Sequence, residues 1–378
     1  PCPNLNDNGN ASIISHCNFS SNALKPPHTG EQTSIGIKLN TGNSNPLNAF
    51  TIGYDPNNNP GVISNTFNNI RCGINITNSA ANIYSNNFSN ILTAPRTSLL
   101  QLIPAYSGSA IYASSSGINT CNVTVHTYDG NNILGTIPTF ENCSYGVPAL
   151  RATLDVNSNP MDNVLYGVYA QNCKNNVFIT GNYITNTNFG ITLNSNSNTL
   201  MQIVMANVIK VNPPIGYTNV YTTLFCNRCL PLFTPNNTYG ISQTDAGVQH
   251  WSWIWANGVI GGRSCIQLNN CYGTRLHLNQ LYQNGNDAVY GSQAGIYASN
   301  SVNLIVDGNS LYGNGASYDN TISIFGQSSH HKSGIVYSNN KGGEVCSNST
   351  VGVIPANAFG VGNTAFPTSA PLGYGLNF

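Results

Sequence analysis

Arg275, His277 and Asp307 are the residues whose types and spacing best suit proton transfer. Arg275 and His277 stand two apart, so a strand would project both from one face. Asp307 falls in the next of a series of similar segments, on the same face and diagonal to His277. A base, a cation and a carboxylate beside an aromatic wall could make a glycan-cleaving site. The competing reading is a solvated face with one ion pair. The wall would come from HWSWIWANG at residues 250–258, which holds Trp251, Trp253 and Trp255, all the tryptophans of the chain. His126 with Asp129, and the run His330-His331-Lys332, are weaker candidates. Cys226 and Cys229 have CxxC spacing, but no second CxxC and no nearby His pair accompanies them, which argues against zinc. A loop disulfide or two unrelated thiols is the plainer reading.

Composition limits this chemistry. Among 378 residues only 6% are charged, and 12 basic and 12 acidic side chains cancel. Calcium takes about six or more oxygen ligands, several of them carboxylates, and so few scattered acids leave little room for a cluster. No metal and no cofactor is therefore expected, and no residue is favoured as catalytic. A formal charge of zero argues against nucleic acid, which demands clustered Lys and Arg. No apolar run approaches the roughly 20 residues of a membrane span. The chain opens at Pro1 without an initiator Met or a signal-peptide pattern, as a processed form or a fragment would. Its 11 cysteines suit an oxidising compartment, and an odd number leaves one thiol over. Near-zero net charge favours association, which suits an assembled or surface-attached protein.

Self-similarity decides the fold. CGINITNSAANIYSNNF from Cys72 matches YGVYAQNCKNNVFITGNY from Tyr166, FGITLNSNSNTLMQIVMANV from Phe189, SCIQLNNCYGTRLHLNQL from Ser264 and AGIYASNSVNLIVDGNSL from Ala294. The pattern is Gly, apolar, any, apolar, two polar residues, then Cys or Ser, followed by a second short apolar alternation that ends in Asn. A period of two means strand. Two or three short strands per 20-odd residues, joined by Asn/Gly turns, describe one coil of a parallel β-helix. The 62 Asn fit, because Asn tolerates left-handed turns and stacked Asn amides form hydrogen-bonded ladders.

These repeats resemble the right-handed parallel β-helix superfamily, which includes pectate-lyase-like enzymes, secreted or surface bacterial proteins and phage tailspikes. The resemblance spans most of residues 36–345 and implies an all-β, single right-handed solenoid of about ten coils. It implies fold better than function, since the scaffold carries lyases, hydrolases, adhesins and spacers. Lyases of this kind hold calcium with acidic clusters and use Arg or Lys on an outward face; the hydrolases use an Asp cluster with a nearby His. Neither an Asp-Asp pair nor Gly-His-Gly occurs here. Residues 1–35 read as an N-terminal cap, 36–350 as the solenoid with an insertion near 212–239, and 351–378 as a C-terminal capping tail.

In register, Cys173, Cys271, Ser79 and Ser301 share a turn position. Cys121 and Cys143, 22 residues apart, lie about one coil from each other, so a disulfide between them competes with two stacked thiols. Aligning Asn257 with Asn182 sets Ser252 and Ile254 opposite Val177 and Ile179, and opposite Leu276 and Leu278 or Leu304 and Val306. Ser252 and Ile254 then face the core and the tryptophans face outward. Three outward indoles need a cover. The insertion, a protein partner or a stacked sugar could supply it.

These readings lead to an exported, extracellular or cell-surface structural or adhesive module, with other subunits or a glycan as partner, and they weigh against an enzymatic activity. A polysaccharide lyase or glycoside hydrolase is the alternative, and a carbohydrate-binding module the second.

Overall fold

The computed structural model describes residues 13–20, 34–42, 44–53, 64–93, 105–117, 120–127, 139–196, 198–211, 238–244, 251–262, 264–282, 294–312, 333–338, 341–346, 349–351 and 357–359. These residues are almost entirely short strands, with a single 3-10 turn at Pro46–Asn48. Residues up to Thr187 form one compact unit, and a second begins at Asn188.

Both units are parallel β-helices with three strands per coil. In the second, Ser264–Asn269, Thr274–His277 and Gln280–Tyr282 make one coil, and Ala294–Ser299, Val302–Asp307 and Ser310–Tyr312 make the next. Each strand pairs in parallel with its counterpart one coil on. The first unit repeats this scheme: Ala80–Tyr84, Asn122–His126, Thr153–Asn157 and Lys174–Thr180 stack in order. Ile13 and Asn18, within the expected cap, already pair with Thr51 and Thr66. Residues 212–237, the bulk of the expected insertion, lie outside the described residues.

Period-two alternation explains the core. Ile37, Ile74 and Ile111 oppose one another in the first unit, as do Val147 and Val168. Ile191, Ile241, Ile266 and Ile296 do so in the second. Ile74, Val168, Ile191, Ile266 and Ile296 are all fully buried. Coil stacking also lines up Phe67, Phe88 and Phe140, with ring centroids 4.9 Å apart at each step.

The turns account for the asparagines. Among the described residues 19 non-glycine residues have positive φ, and 11 of them are Asn, the residue for which that conformation is cheapest after Gly. A second set is inward and buried: Asn65 bonds to Asn86, Asn159 to Asn182, and Asn207, Asn257, Asn279 and Asn309 form a continuous ladder.

The repeat glycine answers to close packing. A β-carbon at Gly240 would lie 2.2 Å from Val259 Cγ1 and 2.8 Å from the Cys265 carbonyl oxygen. One at Gly73 would meet the Ala110 oxygen at 2.5 Å and the Phe88 ring at 2.7 Å. Only a bare α-carbon lets one strand pass that near its neighbours. Gly240→Ala is therefore expected to cost about 1–3 kcal/mol by overpacking. Gly258→Ala, where nothing lies within 4 Å, is expected to be neutral or slightly stabilising. Urea denaturation of both variants checks this; equal effects would remove the packing argument.

The structure corrects the cysteine register. Backbone hydrogen bonds from Asn122 to Ser79, Thr153 to Cys121 and Lys174 to Ala152 align Ser79, Cys121, Ala152 and Cys173 in one turn column. Cys143 lies in a different sheet, in the strand Phe140–Leu150, opposite Val164. Cys121 and Cys143 are not disulfide-bonded; both are buried free thiols. A spacing of 22 residues brings two cysteines together only when both hold the same position in their coils.

Candidate functional site

The strand Trp251–Trp255 pairs with Asn198–Met205 on one side and Thr274–His277 on the other. Alternation buries Ser252 and Ile254, at 4% and 0% exposure, and leaves Trp253 and Trp255 half-buried on the outer face. Trp251 lies opposite Met201 along the backbone. Ser252 is polar because its neighbours inside are polar. Asn196 Nδ2 donates to Gln202 Oε1, Gln202 Nε2 to Ser252 Oγ, Ser252 Oγ to Gln243 Oε1 and Gln243 Nε2 to Thr274 Oγ1, at 2.9–3.1 Å. This buried chain, which sequence reasoning missed, ties three coils together beneath the tryptophans. Its only sequence signal was polar residues at inward positions of successive coils.

Register places Trp253 opposite Arg275 and Trp255 opposite His277, then Arg275 opposite Ile305 and His277 opposite Asp307. Asp307 thus faces His277 directly and Arg275 diagonally, the reverse of the sequence expectation. The alignment also slipped by two residues at one coil. Ile254 opposes Leu276. Leu278 turns out to solvent at 49% exposure with φ of 55°, and Asn279 is fully buried in the ladder. A left-handed residue, Ala206, Ala256, Leu278 or Gly308, stands between the last strand position and each ladder Asn. Counting back from that Asn must skip it.

Asp307 gathers the polar side chains. Arg275 Nη2 donates to its Oδ2 at 2.9 Å and Nε to its Oδ1 at 3.3 Å, a bidentate, charge-assisted contact. His277 Nδ1 lies 2.9 Å from the same Oδ2, shut off from solvent and off the line of a good hydrogen bond. The carboxylate side chain is 15% exposed, against 39% for Arg275 and 30% for His277. Trp253 and Trp255 pack edge to face with centroids 6.2 Å apart, and Trp255 tilts against the His277 ring at 6.3 Å. Trp255 Nε1 is buried without an acceptor among the described residues. Trp253, Trp255, Arg275 and His277 line a pocket of about 180 Å³.

His126 lies in the first unit, opposite Tyr84 and Asn157. Asp129, Cys226, Cys229 and the run 330–332 fall outside the described residues. Among the described residues no group of three or more His, Cys, Asp or Glu side chains comes together as metal ligands would, and no helix is long and apolar enough to cross a membrane.

Stacked parallel coils with outward aromatic and ionic side chains define a parallel β-helix protein with a candidate site on a lateral sheet. In fold the chain is similar to the periplasmic alginate epimerase AlgG, at 13% identity over 95% of this chain and 85% of that one, with a TM-score of 0.42. A double mutant of AlgG aligns over 94% of this chain and 84% of its own, again at 13% identity, with a TM-score of 0.38. At that identity the likeness is one of fold. No family model matches the chain, and no curated protein does.

Proposed function

We propose that the pocket binds a sugar residue of a polysaccharide outside the cell. One observation carries this reading: two indoles packed edge to face meet His277 and the Arg275–Asp307 ion pair across a pocket of about 180 Å³. Small-ligand sites combine an apolar wall with a few fixed polar groups. The apolar C–H face of a pyranose matches an indole face, and its hydroxyls need polar partners at the rim. A structural or adhesive role, expected from the low charge, gives no reason for that polar set beside the tryptophans.

A second reading, polysaccharide cleavage, is favoured by the 2.9 Å contact of His277 Nδ1 with Asp307. With Nδ1 shut off from solvent beside Asp307, Nε2 is the ring nitrogen left for proton transfer. Tryptophan fluorescence titration with a panel of oligosaccharides tests binding. Trp253→Ala is expected to weaken it by about tenfold, the loss of roughly 1.4 kcal/mol of stacking. Products that form with the native protein and vanish in His277→Ala would establish cleavage. Binding to no member of the panel would end both readings.

A further inference from the structure

We infer that the sugar residue held in this pocket is uncharged. The inference rests on the glycan reading and narrows its substrate class. The fork of Arg275 that would grip a substrate carboxylate is already engaged: Nε and Nη2 both point at Asp307. Arg is the residue of choice for bidentate recognition of anions, and here the protein supplies the anion itself. One guanidinium and one carboxylate sum to zero, and among the described residues no lysine lines the pocket.

A second carboxylate entering beside Arg275 or His277 would come close to Asp307, whose oxygens lie 2.9 Å from both. Like charges that near disfavour each other's ionised forms. A uronate would thus meet repulsion from Asp307 together with the attraction of an already compensated Arg275. A hydroxyl meets no such conflict. It both donates and accepts, and the rim offers a fixed donor in Arg275 and an imidazole edge that does either.

The reaction class narrows as well. Elimination at a glycosidic bond needs a carboxylate or its ester to acidify the adjacent ring proton, and a plain neutral hexose or pentose has neither. Any cleavage of such a residue at this pocket is then hydrolytic.

The test is a fluorescence titration with two size-matched sets, neutral oligosaccharides (gluco-, manno-, galacto- and xylo-) and oligouronates. Each set is run at about 20 mM and about 500 mM NaCl, a range over which screened charge contacts weaken markedly. The expected result is a neutral ligand whose Kd changes less than about twofold with salt, and uronates at least about tenfold weaker. Asp307→Asn, checked for an unchanged melting temperature, is expected to narrow that preference. Uronates binding as tightly as the neutral set, with salt-sensitive affinity, would overturn the inference and leave the glycan reading standing. No binding to either set would overturn both.

Discussion

Asn257→Ala is expected to lower stability by about 4 kcal/mol, among the largest losses a single substitution can cause here. Asn257 is 1% exposed, and its amide serves four neighbours at once. Nδ2 donates to Asn279 Oδ1 at 3.0 Å, to the Val204 oxygen at 2.9 Å and to the Trp255 oxygen at 3.1 Å. Oδ1 accepts from the Asn207 backbone at 3.0 Å and from Asn207 Nδ2 at 2.9 Å. Alanine removes both roles: the Asn207 backbone N–H and side-chain amide lose this acceptor, and the Val204 and Trp255 oxygens lose this donor, where water does not reach. A buried group left without a partner costs about 1–3 kcal/mol. The ladder also reaches the site, since Asn257 bonds the carbonyl of Trp255 and Asn309 that of Asp307 at 3.1 Å. Loss of the pocket's fluorescence response should therefore accompany loss of stability. The control is Asn270→Gly, at an exposed turn with φ of 54°, expected within about 0.5 kcal/mol of the parent. A urea midpoint for Asn257→Ala within about 1 kcal/mol of the parent would show the ladder to be incidental.

The fold was legible because a solenoid repeats its physics. Every coil needs the same inward column, behind a glycine in most of them, so Ile74 and Ile266 announce themselves by analogy with their neighbours. What the sequence hid are places where one coil departs from the rule. The left-handed residue before each ladder Asn adds a position that alternation does not count, and that misplaced Leu278 and Asn279. Ser252 looked like a small filler, although it belongs to a buried polar chain whose other members are scattered over residues 196–274. The members of the candidate site were readable as types on one outward face. Their pairing was not, because a shift of two residues decides whether Asp307 opposes His277 or lies diagonal to it. The cysteines misled for a related reason. Sequence distance measures coils, but position within the coil decides who touches whom.

Stability is expected to fall steeply once the pH passes about 9, because the native state holds its buried thiols protonated after the unfolded chain has released them. Burial pushes the Cys121 thiol up to about 11, and Cys143 and Cys173 up to about 12, each from an ordinary value of 9.0. Cys72 is raised further by the same desolvation. Each shift favours the folded state fully below the unfolded value and is lost as the pH climbs toward the folded one. Two units for Cys121 correspond to on the order of 3 kcal/mol at the top of that range, and the other thiols add in the same direction. Tyr166, buried and raised well above its ordinary value, joins at higher pH. Urea midpoints measured at intervals from neutral pH to about 11 should stay level and then drop. Cys121→Ala should flatten the drop by one thiol's share, whatever its effect at neutral pH. Buried thiols should also resist iodoacetamide at pH 8 in the native protein and react once urea unfolds it, since the thiolate is the nucleophile. Rapid alkylation of Cys121 and Cys143 in the folded chain, or a midpoint that rises above pH 9, would show that these sulfurs are not where the fold puts them.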